Sequence, residues 1–279
     1  MASPAPIVAL GELLWDLLPG GRRSGGAPFN FAFHCHQLGH PAVIVSRVGD
    51  DDLGRDLCAE VRRLEMSDEY IQTDREHPTG TVKVEVSPDG QPAFSIVDDV
   101  AWDYIGWEPR LEGLATSARA VCFGTLAQRK PVSRETIRRF VRQARGRCLV
   151  VLDLNLRPTA EDPELIQASL GLADWLKVNE DEAGRVSPNT HVPLVCRTRG
   201  ADGCDVRAWG QAINIPGIPV RVADTVGAGD AFTAALLTQY LEGKPLADAA
   251  RFANAYAAVV ASKPGGTPRV EPAEVERLL

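Results

Sequence analysis

Short and nearly unbroken apolar runs recur along the chain at residues 7–10, 41–48, 120–123, 148–154 and 175–178. Runs of that length without polar alternation predict strands buried on both faces. Apolar residues at helical spacing lie between them, over 53–64, 134–144 and 163–173. Buried strands separated by amphipathic helices predict an α/β fold with a mostly parallel, doubly wound sheet and helices on both faces. One stretch breaks the pattern. Residues 81–86 alternate with period two, turn at Ser87-Pro88-Asp89-Gly90 and resume over 92–97, which predicts a half-buried hairpin. Such a pair is expected to project from the sheet as a lid, because ligands of open α/β sheets gather at the carboxyl ends of the strands. Residues 218–223 predict one more strand, and 231–261 are expected to be mostly helical with a stripe of small residues.

Composition narrows the class without naming a function. The 279 residues are 44% hydrophobic and 24% charged, which suits a single α/β domain over 1–279, with the lid formed by insertions near 12–24 and 78–105. A net charge of −7 argues against sequence-independent nucleic-acid binding, which needs a basic face. The six cysteines include no Cys-x-x-Cys pair and read as small buried residues of a reducing compartment. No window approaches a membrane span, so a cytoplasmic protein with no membrane partner is expected.

The chemistry begins at Asp224-Thr225-Val226-Gly227-Ala228-Gly229-Asp230. A glycine-rich turn feeding a helix presents unpaired N–H groups, and the helix dipole adds positive charge, so the turn cradles anions. Asp230 inside that cradle could take a proton from a substrate hydroxyl while the N–H groups of Gly227, Ala228 and Gly229 hold a transferring phosphoryl group. An ordinary loop followed by an Asp N-cap fits the same residues. No Walker sequence and no protein-kinase glycine loop with a His-Arg-Asp segment is present. A second glycine-rich element, Gly25-Gly26-Ala27-Pro28-Phe29-Asn30, permits close backbone approach and offers an amide to a polyol; Asp16 just upstream could accept from two sugar hydroxyls.

With these two elements the chain resembles the ribokinase-like (PfkB-type) carbohydrate kinases. Further agreement comes, in order, from Gly49-Asp50-Asp51-Asp52-Leu53-Gly54, Asp153-Leu154-Asn155-Leu156-Arg157-Pro158, Asn179-Glu180-Asp181-Glu182, Thr198-Arg199-Gly200-Ala201-Asp202-Gly203 and Ser262-Lys263-Pro264-Gly265-Gly266. The resemblance implies a ribokinase-like fold and a kinase using ATP. It implies Asp230 as base, and Asp16, Gly25, Gly26, Asn30, Asn155 and Arg157 at the sugar. Thr198, Gly200 and Gly203 would flank the nucleotide, with Asn254 near the adenine. Asn179 and Glu182 would organise Mg2+ through water, as suits a cation reluctant to dehydrate. A monovalent cation such as K+ would have Asp224 and the Val226 carbonyl as ligands, helped by the Gly265 loop. A homodimer through the lid is also implied.

The opening Gly11-Glu12-Leu13-Leu14-Trp15-Asp16 and the passage 78–105, with Asp99-Val100-Ala101-Trp102-Asp103, look most like fructokinases. D-fructose is therefore the expected acceptor, through a primary hydroxyl. The alternatives are 2-keto-3-deoxygluconate, whose carboxylate could pair with Arg157, another small sugar or nucleoside, or a sugar sensor on a retired kinase fold. The stretch 183–197 is shorter than the helix and connections the family usually carries there, and reads as an omitted segment rather than a lost helix. Arg199 could meet phosphate or lie in solvent. His34-Cys35-His36 and Asp50-Asp51-Asp52 read as helix and turn, not metal sites.

Overall fold

Burial of both faces of the central strands sets the architecture. The computed structural model describes residues 4–18, 20–86, 92–186 and 190–279. The main sheet contains β1 (Ile7–Leu10), β4 (Ala42–Gly49), β5 (Ile71–Asp74), β8 (Ala120–Phe123), β9 (Leu149–Asp153), β10 (Trp175–Asn179), β11 (Leu194–Thr198), β12 (Cys204–Ala208) and β13 (Gln211–Ile215). Its order is β13-β12-β11-β10-β9-β8-β1-β4-β5, parallel except where β12 and β13 close one edge. In β1, Ile7 and Ala9 turn to one face while Val8 and Leu10 turn to the other. The first face packs on α1 (Ala27–Gln37), α2 (Asp52–Arg63), α7 (Ala228–Leu241) and α8 (Leu246–Ala261). The second packs on α3 (Pro109–Ser117), α4 (Pro131–Ala144) and α5 (Pro163–Leu170). The short α6 (Glu180–Ala183) and α9 (Pro272–Glu276) complete the α-helices among the described residues. None is long and apolar enough to cross a membrane.

From β1 the chain builds outward through β4 and β5, then returns to pair β8 with the other side of β1. Neighbouring strands therefore leave the sheet in opposite directions, opening a crevice at their carboxyl ends. A separate sheet of order β3-β2-β6-β7 stands over it, built from β2 (Leu14–Leu18), β3 (Gly21–Gly25), β6 (Thr81–Val86) and β7 (Pro92–Ile96). The turn expected at 87–90 lies outside the described residues.

The segment 218–223 is not a strand. Pro216 and Pro219 withhold ladder donors. The chain instead crosses the end of α8, where the amides of Ala223 and Asp224 donate to the Ala261 carbonyl at 2.9 and 3.2 Å. Its apolar character serves the wall of the crevice. The short 183–197 stretch carries no long helix among its described residues, yet β10 and β11 pair in parallel from Trp175↔Leu194 to Asn179↔Thr198.

The two suspect clusters are structural. Asp51 caps α2 through the Gly54 amide at 2.7 Å. His34 is fully buried, and burial pushes it down to about 4, so its ring is neutral. Its Nε2 faces the Gly266 carbonyl, which can only accept, so the proton sits there and Nδ1 accepts from the Tyr256 hydroxyl, each at 3.0 Å.

Candidate active site

The crevice is a cleft of about 1190 Å3 running between the small sheet and the ends of β9 to β11. The start of α7 lies at its centre. Gly227 is the N-cap, at φ 76°, and a side chain there would meet the Gly266 backbone at 2.5 Å. Glycine is required on both counts. The first intrahelical bond is Ala231 N–H to the Gly227 carbonyl at 2.8 Å. The Ala228 amide leans on the Thr225 carbonyl at 3.3 Å, so it is partly spent and less available than the sequence implies. The amides of Gly227, Gly229 and Asp230 have no acceptor among the described residues, as expected for a helix start.

Asp230 is not an N-cap. It lies inside the first turn and is 9% exposed. Its Oδ2 accepts from Asn30 Nδ2 at 2.8 Å, joining α1 to α7 across the sheet end. Burial pushes Asp230 up to about 6, helped by the Asp153 charge and opposed by Lys177, the Asn30 hydrogen bond and Arg157. Lys177 is itself buried and pairs with Asp153 at 3.1 Å. Burial works against its charge, but Asp153, Asp230 and Glu182 outweigh it and hold the ammonium. Asp153 also accepts from the Thr233 hydroxyl at 2.9 Å. A side chain on Gly229 would stand 2.8 Å from Lys177 Nζ, so a fixed cation backs the amide turn.

Asp16 lies within β2 rather than after a strand, and half-buried it faces the cleft. Burial and the Asp224 charge push it up to about 6 against Arg157 and Arg23. Gly25, opposite Leu14, makes room for it: a side chain there would come 2.5 Å from Asp16 Oδ2. Gly26, Asn30, Asn155 and Arg157 line the same part of the cleft. Asn155 holds φ 38°, a conformation asparagine tolerates. Arg157 is exposed and has no carboxylate within 4.0 Å among the described residues. Glu12, just after β1, is a cleft residue to which the sequence assigns no role. It is 3% exposed in the cleft wall, and burial with the Asp230 charge pushes it up to about 7.

At the other end, Thr198, Gly200 and Gly203 line the cleft beside residues 218–222. Asn254 also lines it, and its Nδ2 pins the Pro216 carbonyl at 2.9 Å. Arg199 turns away to Asp205 at 3.3 Å, so it does not meet the cleft. Asn179 and Glu182 form a capping box: Asn179 Oδ1 accepts from the Glu182 amide at 2.8 Å, and Glu182 Oε2 accepts from the Asn179 amide at 2.9 Å. Glu182 Oε1 accepts from the Leu156 amide at 2.7 Å, tying α6 to the Asn155–Arg157 loop. Asn179 lines the cleft, whereas Glu182 is buried behind it with both oxygens engaged by backbone amides, so Glu182 braces this corner rather than facing the cleft. Asp224 fits a cation poorly. Its Oδ1 accepts from the Val226 amide, and its Oδ2 from the Gly265 amide, each at 3.0 Å, while Arg23 stands 3.3 Å from Oδ2. No cluster of three or more His, Cys, Asp or Glu able to hold a metal occurs among the described residues.

Lys177 and Glu12 each left one signal, a charge inside an apolar run, and Asp153 ended such a run. The chain is similar to known proteins along nearly its whole length. The sequence pattern of the pfkB family carbohydrate kinases matches residues 20–273. An uncharacterized sugar kinase of Pyrococcus horikoshii is 31% identical over 94% of this chain and 93% of its own length. The crystal structure of that protein in complex with ATP has a TM-score of 0.85 at 30% identity, covering 98% of this chain and 100% of the other. A fructokinase of Klebsiella pneumoniae is 28% identical over 83% of each chain. The fold is shared with a Xylella fastidiosa fructokinase with bound ATP, at TM-score 0.87, 22% identity and coverage of 98% and 97%. The chain belongs to the PfkB family of carbohydrate kinases and is a phosphotransferase of ribokinase-like fold.

Proposed function

We propose that this kinase transfers the γ-phosphoryl group of ATP to a primary hydroxyl of a hexose, with D-fructose as the acceptor. The observation that carries the reading is Asp230, a buried carboxylate beneath unpaired amides at the centre of the cleft. Its Oδ2 is held by Asn30, leaving Oδ1 to take the hydroxyl proton. The sugar oxygen then bonds to the γ-phosphorus as the bond to the β,γ-bridging oxygen breaks, and ADP leaves with that electron pair. The Gly227 and Gly229 amides, backed by Lys177, face the charge of the moving phosphoryl group. Base and preorganised donors are each worth roughly 10²–10³-fold.

Asp16, Asn30 and Asn155 are the acceptors and donors placed for sugar hydroxyls, and Thr198, Gly200, Gly203 and Asn254 border the nucleotide end. A Mg2+ ion held through water at Asn179, which the buried Glu182 braces, would neutralise phosphate charge. The small sheet carries Asp16, so its closure both orients the sugar and excludes water. The kinship with fructokinases supports the acceptor. One observation favours a second reading: Arg157 faces the cleft without a carboxylate partner among the described residues, as a sugar acid such as 2-keto-3-deoxygluconate would need.

The test is a coupled ADP-release assay with MgATP and a panel of neutral hexoses, sugar acids and nucleosides. D-fructose is expected to give the highest kcat/KM. A sugar acid turning over faster, with the advantage lost in Arg157→Ala, transfers the assignment to the second reading.

A further inference from the structure

Arg23 is an odd residue to find in contact with the phosphate-side loop, because it belongs to the small sheet. It is the direct register partner of Asp16 on the antiparallel β2–β3 pair, so the two side chains leave the same face. That face looks down on Asp224, and Arg23 Nη1 lies 3.3 Å from Asp224 Oδ2. The stem of the same side chain lies along the Gly265 backbone: a Cβ built on Gly265 would be 3.3 Å from Arg23 Cδ. The guanidinium thus sits beside both Asp224 and the Gly265 loop, the two elements that the family resemblance assigns to a monovalent cation.

The Asp224 carboxylate leaves little for such an ion. Asp224 Oδ2 already accepts from the Gly265 amide and faces Arg23, and Oδ1 accepts from the Val226 amide. A carboxylate oxygen offers two lone pairs, so Oδ2 is full and Oδ1 keeps one. A K+ ion placed here would also sit against the Arg23 guanidinium cation. Asp16 and Asp224 repel each other across this gap, and Arg23 acts on both.

We propose that Arg23 is the resident counter-cation of Asp224, so that this kinase works without K+ or another monovalent ion at the loop. The charge is delivered by the small sheet, which makes its seating over the cleft a condition for a fully assembled phosphate loop. The proposal rests on the kinase reading of that loop, but the two fail differently.

The experiment compares the intact protein with Arg23→Gln and Arg23→Lys in about 0.1 M KCl and in choline chloride of equal ionic strength. Turnover and thermal melting are both recorded, since melting reports ion binding whether or not a sugar is turned over. For the unsubstituted protein, rate and Tm are expected to be the same in both salts within about twofold and 1 °C. Arg23→Gln keeps the stem over Gly265 but removes the charge. It should slow about three- to tenfold in choline, the scale of a part-exposed ion pair, and recover most of that loss in KCl with a rise in Tm. Arg23→Lys should stay indifferent to K+. A several-fold K+ activation of the unsubstituted protein, or a Tm raised by K+ before any substitution, overturns the proposal. So does an Arg23→Gln variant indifferent to the salt. Absence of turnover with every sugar counts against the kinase reading alone and leaves the melting comparison decisive.

Discussion

Replacing Asp230 with asparagine should destroy catalysis and stabilise the fold at the same time. The carboxyl is 9% exposed, shares its surroundings with Asp153, and sits at about 6 where an ordinary aspartate sits at 3.8. The unfolded chain releases this proton near 3.8, and the folded protein holds it to about 6. Stability contributed below 3.8 is therefore lost as pH rises through that window, and the full penalty remains above it. The difference is worth about 3 kcal/mol at neutral pH. Asparagine keeps the shape and an oxygen for Asn30 Nδ2, but its amide needs a partner, so a gain of about 1–3 kcal/mol is expected. Urea denaturation at pH 7.5 and pH 4 measures it: the gain should be present at the first and shrink toward zero at the second. Thermal midpoints should follow at roughly 2–4 °C per kcal/mol. Turnover should fall by about 10²–10⁴-fold with sugar binding retained. A variant that turns over within tenfold of the parent refutes the role of base. One that is destabilised equally at both pH values refutes the buried-charge reasoning.

Two further substitutions probe the supports of this site. Lys177→Met removes the cation that restrains Asp230 and pairs with Asp153, so the acidic limb of kcat/KM, expected near pH 6, should move upward. The loss of the buried pair should cost about 3 kcal/mol or more in urea denaturation, and an unmoved limb would remove Lys177 from the argument. Gly25→Ala places a methyl group 2.5 Å from Asp16 Oδ2. It should raise the sugar KM about tenfold while leaving the ATP KM alone, and equal changes in both would mean that Asp16 does not belong to the sugar end.

The central strands and the period-two pair were legible because burial on two faces and burial on one leave different patterns. The same signal misled at 218–223, where apolar residues around Pro219 line a cleft wall instead of pairing. Asn179 and Glu182 show a deeper ambiguity. A capping box and a water-mediated metal element demand the same residue types at the same spacing, and here the carboxylate is committed to the amides of Leu156 and Asn179 before any ion arrives. The motif therefore serves the fold first, bracing the loop that carries Asn155 and Arg157. Lys177, Asp153 and Glu12 were hardest to read because a lone charge in an apolar run has no meaning until its partner is known. Their partners come from other strands, and from α7 in the case of Asp230. Arg23 was hidden for the opposite reason. In Gly-Gly-Arg-Arg-Ser-Gly-Gly it looks like solvated surface, and only the seating of β3 over Asp224 gives it a position at the loop. Local patterns thus located the atoms that would meet the phosphoryl group, whereas the charges that make those atoms workable are distributed over strands far apart in sequence. Sequence can name a candidate base, but its acidity is set by groups that only the folded topology assembles.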